Sequence, residues 1–103
     1  MTENYFNYSF KNHSEYYTDI VKSIKDSVYL IMLTFMYTTE FTFIVKLDEL
    51  AIARGTLNLA DCVFELVEEL DEMMEGGALL RMVAVVGDPP VTVEFEHPIL
   101  CFS

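Results

Sequence analysis

The residues whose types and spacing could do chemistry lie near the C-terminal end, where Glu94, Glu96 and His97 fall close together. An imidazole beside two carboxylates can hold a divalent ion or move a proton. On an extended strand, however, Glu94 and Glu96 share one face and His97 takes the other. That spacing favours an ordinary edge strand ending before Pro98. His13 stands alone at an expected helix start. Cys62 and Cys101 lack the spacing of a metal or CxxC pair. Cys62 reads as a small buried apolar group, with a single disulfide as the open alternative. Gly87–Asp88–Pro89–Pro90 is a turn rather than a phosphate cradle, and no glycine-rich phosphate loop exists. The sequence therefore points to no catalytic residue, no metal and no cofactor.

A concentration of charge stands out instead. Asp61, Glu65, Glu68, Glu69, Asp71, Glu72 and Glu75 lie within fifteen residues, with no lysine or arginine among them. Like charges at helical spacing cost some stability, so such a run calls for an explanation. A solvated face that aids solubility is the plain reading. A docking surface for a basic protein is the sharper one, with Phe64 as an apolar anchor beside the carboxylates. The whole chain agrees in sign, with a net charge of −11 over 103 residues. Nucleic-acid phosphate and anionic membranes would be repelled, and a basic partner would be drawn in. This is the physics of a non-enzymatic inhibitor: carboxylates pair with the arginines or lysines of a nucleic-acid-processing enzyme or toxin, as a phosphate mimic or immunity protein would. The alternative is a structural or assembly subunit that forms a homodimer, with the acidic run as its outer surface.

These residues need elements to position them. The stretch Asn58–Gly77 reads as one amphipathic helix. Leu59, Val63, Leu66, Val67, Leu70 and Met74 form its apolar stripe, Asn58 caps its start, and Gly76 and Gly77 end it. A first helix is expected over Asn12–Ser27, with Tyr17, Ile20, Val21, Ile24 and Val28 inward and a capping-box spacing at Asn12 and Glu15. Phe6, Tyr8 and Phe10 alternate as in a short strand. Val28–Tyr37 is apolar on both faces and suits a central strand. Phe41–Leu47 alternates, Asp48–Leu57 reads as a turn or short helical link, and Ala78–Val86 and Val91–Glu96 are strands.

The order is thus β-α-β-β-α-β plus a C-terminal strand. It predicts an α+β domain with a small antiparallel or mixed sheet packed against two helices, ferredoxin-like in arrangement. Composition supports one domain, since 52 % hydrophobic and 14 % aromatic content can build a core. Val28–Val45 approaches the length of a membrane span, but Glu40 with Thr38, Thr39 and Thr42 weakens it. With no basic leader preceding an apolar run, a cytoplasmic protein is expected.

Overall fold

In a computed structural model, residues 6–9, 17–36, 40–58, 61–67 and 77–99 are described. They form one mixed six-stranded sheet with one helix on one of its faces. The elements are β1 (Phe6–Ser9), α1 (Tyr17–Thr34), β2 (Glu40–Leu47), β3 (Leu50–Asn58), β4 (Asp61–Leu66), β5 (Ala78–Val86) and β6 (Val91–Ile99). The spatial order is β1-β4-β3-β2-β5-β6. Only β1 and β4 pair in parallel; every other ladder is antiparallel. Three hairpins, β2–β3, β3–β4 and β5–β6, therefore account for most of the sheet.

Two expected elements are corrected. The second helix is absent from the described part of Asn58–Gly77, because Asp61–Leu66 is strand β4. This segment satisfies two periods at once. A helix would bury Val63 and Leu66, whereas a strand buries Cys62, Phe64 and Leu66. The strand prevails: Phe64 is 2 % exposed and Val63 is 53 % exposed. Its inward residues lie across from Leu57, Gly55 and Ala53 on β3 and from Phe6 and Tyr8 on β1, so sheet neighbours complete the burial. Two helices on a ferredoxin-like sheet are thus replaced by a six-stranded sheet carrying one helix among the described residues.

The second correction concerns Val28–Tyr37. Instead of starting a central strand, residues 28–34 continue α1 for an 18-residue helix. The buried positions Ile20, Ile24, Ser27, Val28 and Ile31 keep the three- and four-residue spacing throughout. Helical periodicity outweighs the weak β preference of the branched and aromatic residues. Met36, with φ of 54°, takes the left-handed conformation just past the helix. The central strand is β2 instead, and Asp48–Leu57 is the turn and body of the β2–β3 hairpin rather than a helical link.

The core lies between α1 and one face of the sheet. β2 contributes Phe41, Phe43, Val45 and Leu47, and β5 contributes Leu80, Met82, Ala84 and Val86. Gly55 on β3 lies between Phe43 and Phe64. A Cβ there would collide with the Phe43 ring and would stand 2.6 Å from Phe64 Cβ. The glycine therefore makes room for an aromatic row: Tyr8 stacks on Phe64 at 5.3 Å between centroids, and Phe64 meets Phe43 at 6.4 Å. Lys25 of α1 places its ammonium 5.5 Å and 5.2 Å from the Phe6 and Tyr8 ring centres, holding the helix to the β1 edge.

Candidate functional site

The opposite face of the sheet carries no helix among the described residues. Strand alternation decides what it presents. Thr42, Ile44 and Lys46 of β2 face outward, as do Arg54 and Thr56 of β3, Val63 and Glu65 of β4, and Arg81, Val83 and Val85 of β5. A shallow concavity of about 580 Å³ lies over Thr42, Ile44, Thr56, Val63, Val83 and Val85. Ile44 remains 47 % exposed and Val85 45 % exposed. A sheet face needs cover on both sides only when both are apolar. Here the centre is aliphatic and threonine-rich and the surround is charged, which is the composition of an interface core and rim.

The charges are ordered by strand register. Arg54 donates from Nε to Glu65 Oε1 at 3.2 Å across β3 and β4, and Arg81 Nε does the same to Glu96 Oε1 at 3.2 Å across β5 and β6. Lys46 lies directly across from Arg81. Like charges in such a cross-strand pair oppose each other. No carboxylate among the described residues lies within ion-pair distance of Lys46. At the other end of β2, Glu40 is paired in register with Asn58, which is paired with Asp61. The outward side of β2 thus carries an acid at its first residue and a base near its last, with Asp48 and Glu49 in the turn just beyond Lys46.

Of the residues expected to form an acidic docking face, the structure describes Asp61, Phe64 and Glu65. Asp61 and Glu65 are exposed, but they project from β4, and Glu65 is engaged by Arg54. Phe64 is no surface anchor; it is buried on the α1 side in the aromatic row. Glu68, Glu69, Asp71, Glu72 and Glu75 lie outside the described residues, as do His13, Cys101 and the apolar end at 100–103. The open face itself was not visible as a unit, because its members come from strands whose order no local pattern encodes. The alternation of Thr42, Ile44 and Lys46 was the one available signal.

Glu94, Glu96 and His97 do not converge. β6 is an edge strand that continues through Pro98 to Ile99, and alternation sends the carboxylates outward and the imidazole inward. His97 Nε2 lies 2.7 Å from the buried Ser27 hydroxyl, which also donates to the Ser23 carbonyl at 2.9 Å. With one hydroxyl proton committed to Ser23, the imidazole Nε2–H is the donor to Ser27 Oγ. The pair ties the C-terminal end of β6 to the middle of α1. Among the described residues no group of three metal-ligating side chains forms. Cys62 is a free thiol, and burial pushes its pKa up to about 12, far from a reactive thiolate. No helix among the described residues is long and apolar enough to cross a membrane.

No protein-family description, no curated protein and no solved structure matches this chain.

Proposed function

We propose that the protein is a non-enzymatic interaction and assembly module whose contact surface is the open sheet face. The observation that carries this reading is the half-exposed aliphatic centre at Ile44, Val63 and Val85, set in a ring of charge. Buried against another protein, each of these side chains would gain roughly 1–2 kcal/mol from the apolar area it still shows to water. The test is to replace Ile44 with Glu and to compare assemblies recovered at low salt. Loss of the assembly with an unchanged melting profile supports the reading. An assembly indifferent to Ile44 rejects it.

A second reading keeps the expectation of a basic partner, such as a nucleic-acid-processing enzyme or toxin, which the protein would inhibit by occlusion. The net charge of −11 favours it, and so does the excess of acids on the open strands: Glu40, Asp61, Glu65, Glu94 and Glu96 against Lys46, Arg54 and Arg81. Binding of this kind weakens steeply with salt. Charge reversal at Glu68 and Glu72 would weaken it further without altering the sheet. In either case we place the protein in the cytoplasm, where a free thiol such as Cys62 persists.

A further inference from the structure

We infer that the partner on the open face is a second copy of this chain, packed with its β2 antiparallel to the first. The inference rests on the reading of that face as the contact surface, and it adds the occupant and its orientation. The argument is one of charge complementarity. Glu40 and Lys46 project from opposite ends of the outward side of β2, about 20 Å apart at strand spacing. Lys46 faces Arg81 across the ladder, and since Glu96 already answers Arg81, Lys46 is, among the described residues, the outward cation of this end left for an anion of the mate. A two-fold axis lying between the sheets and perpendicular to the strands reverses strand direction. It brings Glu40 of each copy over Lys46 of the other. With the axis between Thr42 and Ile44, the Ile44 side chain of one copy meets Thr42 of its mate, and Val83 meets Val85.

A two-fold axis along the strands would instead set Glu40 against Glu40 and Lys46 against Lys46. The charge pattern thus selects one isologous arrangement over the other. Facing sheets at the usual separation of about 10 Å, crossed by about 30°, keep the strands in the middle in contact while the corners part. Glu94, on the β6 edge, then stays at the wet rim. An eight-residue strand and six-strand width define a face on the order of 600 Å² per copy. Because the corners part, the two copies together bury less than about 1,200 Å², the size of a weak, transient contact. The expected assembly is therefore a reversible dimer.

Sedimentation equilibrium of the full chain over a wide concentration range tests this. The expected result is a monomer–dimer equilibrium that weakens with added salt. Lys46→Glu alone and Glu40→Lys alone should each raise the dimer dissociation constant at least about tenfold, because each sets like charges together. The double variant, Glu40→Lys with Lys46→Glu, should restore it to within a few-fold of the original. Circular dichroism and melting keep unfolded variants out of the comparison. Failure of the double variant to recover overturns the antiparallel arrangement, and a chain that stays monomeric throughout overturns the second copy as occupant. A monomer that still loses another protein partner on Ile44→Glu leaves the contact face intact. A dimer broken by Leu33→Glu on the exposed side of α1, and not by Ile44→Glu, rejects the face itself.

Discussion

At the scale of single residues, burial and close approach decide which positions are sensitive. Gly55 is one, since a methyl group there would meet the Phe43 ring, Phe64 Cβ and the backbone carbonyl of Val63, which cannot give way. Gly55→Ala should cost about 1–3 kcal/mol by overpacking, read as a lower urea midpoint. Glu65→Gln offers the contrast. Its ion pair with Arg54 joins two side chains that are more than half exposed, so the change should be below about 1 kcal/mol. Cys62 makes a pH-dependent prediction. Its folded pKa of about 12 lies above the ordinary value of 9.0, so the unfolded chain releases the thiol proton first. Stability should consequently be unaffected below pH 9 and should fall as pH rises from there towards 12. Cys62→Ala should remove that residue's share of the slope, and Cys62 itself should resist thiol reagents in the native protein while reacting in the unfolded chain.

At the scale of elements, legibility followed the uniqueness of the local period. β2 and β6 alternate cleanly and were readable, and the short β1 shows its alternation in Phe6 and Tyr8. Asp61–Leu66 fits a helix and a strand equally well in isolation. The register against β3 and β1, which resolves it, is a non-local fact. β3 was obscured for another reason. Ala51, Ala53 and Gly55 have weak strand preference, and a register shift between Val45 and Lys46 leaves Ile52 as an extra residue that breaks the two-residue repeat. The candidate site was less legible than the fold, since the open face is assembled from four strands. The Ser27–His97 contact was invisible for the same reason, joining residues seventy positions apart. Ser27→Ala should cost about 1 kcal/mol. It should also speed hydrogen exchange at the C-terminal end of β6 more than elsewhere, whereas a uniform change would argue against a local tie.

At the scale of the whole molecule, the one helix among the described residues covers one side of the six-stranded sheet. Among the described residues the other side carries Ile44, Val63 and Val85 half-exposed, while Tyr29, Leu30 and Leu33 form a second apolar patch on the outer side of α1. Net charge alone would favour a basic partner, while the opposition of Glu40 and Lys46 along β2 favours a mate of the same sequence. These alternatives separate in one salt titration combined with the paired charge reversals, because only self-association is rescued when both reversals sit on every copy.

The parallel pairing of β1 with β4 has a temporal consequence. Phe6 finds its register partner at Cys62, so β1 leaves the ribosome well before the strand on which it docks. Such late docking makes Phe6→Ala a mutation of the exit rate: unfolding should accelerate while refolding keeps its pace.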